Sequence, residues 1–210
     1  MSNSVPDRLF RLFGKERDPS LVRNGRRFLR DAMATAREAD VTPFLMWGTL
    51  LGCVRDSGFI RHDGDIDLGI RSGDYDKRGR WIALMQRRGY RLHFDRNYKF
   101  RFSHPWHSLH IDVDVFYPHA GQVVCADRDH EGRFLGEAFA IDAFDRLRET
   151  EFLGLRVFVP DPPEAVLEAV YGSWREPRRD YDSRTGPLNR ILLEPGAPLP
   201  PLEAGLRAGY

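Results

Sequence analysis

The chain has 210 residues, 41% of them hydrophobic and 12% aromatic, which is enough for one full domain with a sizeable core. Lysine and arginine number 32 against 31 aspartates and glutamates, a formal net charge of +1, which gives no support to a general nucleic-acid binder. Two cysteines, Cys53 and Cys125, without a CxxC pair argue against a disulfide scaffold and a structural zinc site. No apolar run approaches the ~20 residues of a membrane span and no signal peptide is evident, so a cytoplasmic location is the expectation.

In chain order, residues 1–19 read as an N-terminal extension. Its segment "DRLFRLFGK" (7–15) is expected to be a helix lying back on the domain, with a membrane surface or a partner as the alternative. Ser20 is a plausible N-cap for a helix to about Glu38, in which Leu21, Phe28, Leu29, Met33 and Ala36 recur with helical spacing. "PFLMW" (43–47) predicts a short buried strand. A short helix follows, with Thr49 as N-cap and Gly58 near its stop. "DIDLGI" (65–70) predicts a second strand and residues 74–88 a helix. Strands are then expected at about 90–95, 98–103 and 108–117, followed by weaker ones at 122–126, 133–135 and 146–159. "PPEAVLEAVYG" (162–172) predicts a helix stopped by Gly172. From Pro187 prolines become frequent, and 187–210 read as an extended or disordered tail. Helices alternating with strands, then antiparallel strands, make an α+β domain around a mixed sheet over residues 20–186. No GxGxxG or GxxxxGK[ST] occurs, so Rossmann and P-loop readings lose their main support.

Charge is unevenly spread. Residues 55–76 carry Asp56, Asp63, Asp65, Asp67, Asp74 and Asp76, whereas 77–101 carry nine lysines and arginines against Asp95 alone. In "RHDGDIDLGI" (61–70), Asp65 and Asp67 flank Ile66 at the start of an apolar strand. Side chains at i and i+2 of a strand share a face, so the two carboxylates project together and repel unless a cation lies between them. Mg²⁺ takes oxygen ligands and commonly binds one or two carboxylates plus substrate phosphates. Two surface aspartates at a strand end are the ordinary alternative, and DxD alone is a weak motif. "LHIDVDVFYP" (109–118) alternates too, placing His110, Asp112, Asp114 and Phe116 on one face. If this strand lies beside the first, Asp112 or Asp114 completes a three-carboxylate site, as metal ligand or proton acceptor. Gly48 allows a phosphate to approach the backbone, and Thr49 opens a helix whose free N–H groups attract anions. Arg55 is either a phosphate contact or an ordinary surface arginine.

"WGTLLGCVRDSGFIRHDGDIDLGI" (47–70) resembles the signature of LicD/fukutin-type proteins, a branch of the nucleotidyltransferase superfamily. "HIDVDVFYP" is similar to that family's V-D-I-F strand, and "VPDPPEAVLEAVYGSWREP" (159–177) to its closing segment. Arg61 and His62 stand where the family often has Pro-Trp, and Gly64 replaces an acidic residue. The resemblance implies a nucleotidyltransferase-like mixed β-sheet flanked by helices, acting as a phosphotransferase. The expected donor is a nucleotide-diphosphate alcohol such as a CDP-alcohol, and the acceptor a sugar or glycan hydroxyl. It further implies Mg²⁺ (or Mn²⁺) held by Asp65 and Asp67 with Asp114 as third carboxylate, and Gly48, Thr49, Arg55 and His62 around the donor. Two alternatives stay open: a nucleotidyltransferase moving NMP from an NTP to a small-molecule hydroxyl, and a non-catalytic nucleotide-binding module. His107 and His110 beside Asp112 raise a transition-metal site, against which the hard-ligand DxD pattern argues. "RRDYDSRTGPLN" (178–189) closes over the donor, guides the acceptor, or is a solvated loop.

Overall fold

The computed structural model describes residues 19–61, 63–96, 98–128, 134–178, 181 and 186–193. Almost all of the N-terminal extension, His62 and the residues 182–185 fall outside that set.

The first helix, α1 (Pro19–Glu38), buries Leu21, Phe28, Leu29, Ala32 and Ala36. It leads through a tight turn into β1 (Phe44–Leu45) and then α2 (Trp47–Leu51), which continues as one π-helical stretch, Gly52–Asp56. The helix therefore starts two residues before Thr49. Met46 occupies its N-cap with no side-chain cap bond, and Trp47 has a left-handed φ of 45°. Tertiary pairing sets this start: the Met46 N–H donates to the Asp67 carbonyl, and the Met46 carbonyl accepts from the Leu50 N–H.

β2 (Asp65–Arg71) follows, then a 3₁₀ stretch (Ser72–Lys77) running into α3 (Arg78–Arg87). β3 (Arg91–Arg96), β4 (Lys99–His104) and β5 (His107–His119) come next, and β6 (Gln122–Arg128) and β7 (Phe134–Ala140) extend the meander. A short helix α4 (Asp142–Asp145) precedes β8 (Leu147–Phe152) and β9 (Leu155–Pro160). The single strand expected over 146–159 is thus a hairpin, turned by Leu153 and Gly154, both with positive φ. α5 (Pro163–Tyr171) closes the domain, and β10 (Arg190–Leu192), inside the segment read as tail, pairs with β7.

The strands form one mixed sheet in the order β10-β7-β6-β5-β2-β1-β9-β8, with the β3–β4 hairpin attached to β5. The 13-residue β5 is its centre: one edge runs parallel to β2, while the other is shared by β4 and then β6, both antiparallel. The expected α+β, mixed-sheet architecture is what folds. On one face, Ile66, Leu68, Ile111 and Val113 are sealed by α1 and α3, where Trp81 packs edge-on against Phe100 and Phe102. The opposite face carries the carboxylates.

Candidate active site

β2 and β5 lie side by side in a register that pairs Asp65 with His110, Asp67 with Asp112 and Gly69 with Asp114. Alternation then puts Asp65, Asp67, His110, Asp112 and Asp114 on one face. Further along that face the character turns aromatic. Phe116 packs with Phe44, Phe139 and Phe144, and Trp47 leans on Phe116 and Phe139. The site is a polar mouth over an aromatic floor, and Gly69 marks the boundary. A Cβ there would overlap the ring of Phe44 and stand 2.8 Å from that of Phe116.

Asp63, in the approach to β2, joins Asp65 and Asp67: one oxygen from each of the three carboxylates lies within 4.8 Å of the others. Asp63 is a site residue that the sequence reading did not single out: strand alternation does not find it, because residue 63 precedes the strand. Gly48 makes room for it. A Cβ at Gly48 would collide with the Asp63 carboxylate and come within 3.4 Å of Asp67.

Asp65 and Asp67 differ in proton affinity. Burial and the charges of Asp65 and Asp63 push Asp67 well above the ordinary carboxylate range. Burial would also raise Asp65, but hydrogen bonds with His110 and Asp63 and the charges of His110 and Lys99 hold it below its ordinary value. The His110 Nε2 is 3.3 Å from Asp65 Oδ2. That contact, working against burial, raises the imidazole pKa. A second constellation, Asp65, His110 and Asp112, also brings ligand atoms within 4.8 Å.

The β5 carboxylates are buried and charge-paired. Asp112 is 3% exposed and Asp114 2%. Arg101 on β4 donates to Asp112 from Nε and Nη2, the latter at 2.7 Å. Lys99 bridges the two, at 3.2 Å from Asp112 and 3.4 Å from Asp114. The Trp47 indole N–H donates to Asp114 at 2.8 Å. Burial lifts Asp114 to about 6, with Lys99 and the indole working against it. Lys99 and Arg101 are site residues that the motif reading missed. They lie in the basic stretch 77–101, and only the β4–β5 register shows which of its cations face the carboxylates.

The residues expected around the donor are dispersed. Gly48 opens directly on the acidic cluster. Thr49 is 1% exposed, and its hydroxyl accepts the Asp67 N–H at 2.9 Å, so it fixes the strand that carries the carboxylates. Arg55 is paired with Asp56 at 2.8 Å and donates to the Trp174 carbonyl. Among the described residues its partners are thus a neighbouring carboxylate and a backbone carbonyl rather than the acidic cluster. His62 lies outside the described residues.

Residues 40–162 match the family model described as "LicD/FKTN/FKRP, nucleotidyltransferase domain". The chain belongs to the LicD/FKTN/FKRP family. Mouse "Ribitol-5-phosphate transferase FKTN" is 28% identical over 202 residues, covering 89% of this chain and 38% of the mouse protein. The chain therefore spans about two-fifths of that relative's length. "Uncharacterized protein RP689" of Rickettsia prowazekii (strain Madrid E) is 21% identical over 189 residues, covering 83% of this chain and 69% of that protein. Among solved structures, ANT(2")-Ia in complex with adenylyl-2"-tobramycin overlaps 74% of this chain and 80% of its own, with a TM-score of 0.46 and 16% identity. No helix among the described residues of this LicD/FKTN/FKRP domain is long and apolar enough to cross a membrane.

Proposed function

We propose that this domain transfers a phosphorylated alcohol, of the polyol-phosphate or phosphocholine class, from a CDP-type donor to a hydroxyl of a sugar or glycan. The convergence of Asp63, Asp65 and Asp67 beside the β5 carboxylates, in a member of this family, carries the reading. The kinship with a named ribitol-5-phosphate transferase favours a polyol phosphate as the group moved.

The donor set fits a hard divalent cation. Three carboxylates with mutually close oxygens, one pushed toward its protonated form by burial and by the charges of the other two, match the all-oxygen preference of Mg²⁺ or Mn²⁺. When bound, such an ion supplies positive charge against the negative charge developing on the phosphoryl oxygens. The chain's own residues do the rest. Asp63, Asp65 and Asp67 form the anionic side of the cleft, and Thr49 and Gly48 fix their spacing. Lys99 and Arg101 hold Asp112 and Asp114 in place. The acceptor oxygen forms a new bond to the distal phosphorus. The bond from that phosphorus to the bridging oxygen breaks, CMP leaves with that oxygen, and the hydroxyl proton passes to Asp114, the β5 carboxylate whose affinity for a proton burial lifts to about 6.

The test is turnover of a panel of CDP-alcohols and NTPs with Mg²⁺ or Mn²⁺, with Asp65→Ala/Asp67→Ala as control. CMP release from one CDP-alcohol, lost in the double variant, is the expected result. Pyrophosphate release from an NTP would transfer the enzyme to the nucleotidyltransferase class. Failure to bind any nucleotide would sink the catalytic reading.

A further inference from the structure

The N-terminal half of α1 is level with the start of β5: Asn24 Nδ2 lies 3.3 Å from His107 Nδ1, and Phe28 packs against His104 and His107. The turn joining β4 to β5 projects from this end, and Trp106 at its tip is 84% exposed. An exposed tryptophan forfeits the burial that its large ring offers, and its amphipathic indole suits a boundary that is apolar on one side and wet on the other.

Beside it, three arginines share one carboxylate. Asp31 is 7% exposed; Arg30 reaches its Oδ1 at 3.1 Å and Arg88 at 3.6 Å, while Arg27 lies 3.8 Å from Oδ2, to which the Tyr90 hydroxyl donates. One buried anion thus anchors three cations whose side chains are 40–54% exposed, leaving a local surplus of positive charge facing outward. Arg23 and Arg26 extend the exposed basic face along α1. The sequence leading into that helix, "DRLFRLFGK", has the same mixture of arginine, lysine and large apolar residues.

We infer that this end of the domain docks on an anionic phospholipid bilayer, with Trp106 at the headgroup level and the arginines of α1, with Arg88 just beyond α3, against lipid phosphates. Tryptophan favours the membrane–water interface, and clustered arginine is attracted to an anionic leaflet. A soluble polyanion would use the arginines but has no need of the projecting indole. Trp106 and His110 are four positions apart, about 13 Å along an extended strand. The carboxylate cleft therefore opens at the same end of the sheet, in front, while the basic face lies behind. The docked domain would present its cleft to an acceptor at the membrane surface. That last consequence rests on the proposed function; the docking itself does not.

The experiment is flotation of the full chain with vesicles of phosphatidylcholine alone and with 30% phosphatidylglycerol, together with tryptophan emission. Expected are binding to the anionic vesicles only, a blue shift, and salt sensitivity. Trp106→Ser should abolish the blue shift. Arg27→Gln/Arg30→Gln should weaken partitioning by about tenfold or more, each arginine near the surface counting for about fivefold. Circular dichroism verifies folding, and Trp106→Ser, altering only a projecting side chain, keeps the test valid if the arginine pair is needed for the fold. Asp65→Ala/Asp67→Ala should bind vesicles like the parent, which separates this inference from the catalytic one. Equal binding to both vesicle types, no binding, or binding indifferent to both sets of variants overturns it. So does capture of inorganic polyphosphate without any vesicle binding, which would assign the arginines to a soluble polyanion.

Discussion

Gly48 is the residue whose replacement isolates the acidic cluster from the fold. A methyl group there meets the end of the Asp63 side chain rather than backbone, so the clash is relieved by moving that carboxylate. Alanine is also the better helix former by about 1 kcal/mol. Gly48→Ala should therefore leave the melting temperature within a few degrees of the parent while displacing Asp63 from Asp65 and Asp67. A displacement of this kind in a site that positions phosphates costs turnover by about a hundredfold. Unimpaired turnover with intact folding would mean that Asp63 has no part in the site. At this scale the sequence was partly transparent. Asp65, Asp67 and Gly48 are readable from a motif and from strand alternation. Lys99 and Arg101 are not, because nothing local distinguishes them from Lys77 or Arg78, which pair with Asp74 and Asp95 elsewhere. Thr49 was assigned to a helix start from its residue type; its hydroxyl is instead committed to the Asp67 N–H.

Between elements, what matters is that β2 and β5 are parallel neighbours held in one register, and Gly69 is where that register is most sensitive. Phe44 of β1 lies directly opposite it, and Phe116 sits on the adjoining strand. Both rings belong to a packed aromatic cluster and cannot withdraw as a lone side-chain end can. Gly69→Ala should cost about 1–3 kcal/mol by overpacking, seen as a lower urea midpoint with unchanged slope, and a midpoint equal to the parent's would refute the close packing. Periodicity exposed β2 and β5 because each has an apolar stripe facing α1 and α3. It merged β8 with β9, since Leu153-Gly154 in "FLGL" is an unobtrusive turn between two apolar runs. It also passed over β10, whose three residues are a strand only because β7 offers them an edge. The start of α2 went astray for a similar reason: backbone pairing between Met46 and Asp67, not a capping side chain, decides it.

For the whole molecule, the acidic cluster is a liability to the fold, and a cation at the proposed site should turn it into a source of stability. The Asp67 carboxyl holds its proton more tightly in the folded chain than in the unfolded one, where it is an ordinary carboxyl of about 3.9. Its contribution to stability is therefore fully present below that value and is lost as pH rises through the elevated folded value. At neutral pH the metal-free protein carries this penalty, and a divalent ion bound only by the folded state removes it. Mg²⁺ or Mn²⁺ at about 100 times the dissociation constant should stabilise the fold by about 2.7 kcal/mol, or roughly 5–11 °C in melting temperature for a chain of this size. The increment should grow from acidic to neutral pH, and EDTA should reverse it. Asp65→Asn/Asp67→Asn should melt higher than the metal-free parent, because the repulsion is gone, and should not respond to metal at all. A parent protein whose melting is indifferent to both ions and to EDTA would show that the three carboxylates do not form a cation site, and the phosphotransferase reading would lose its physical basis.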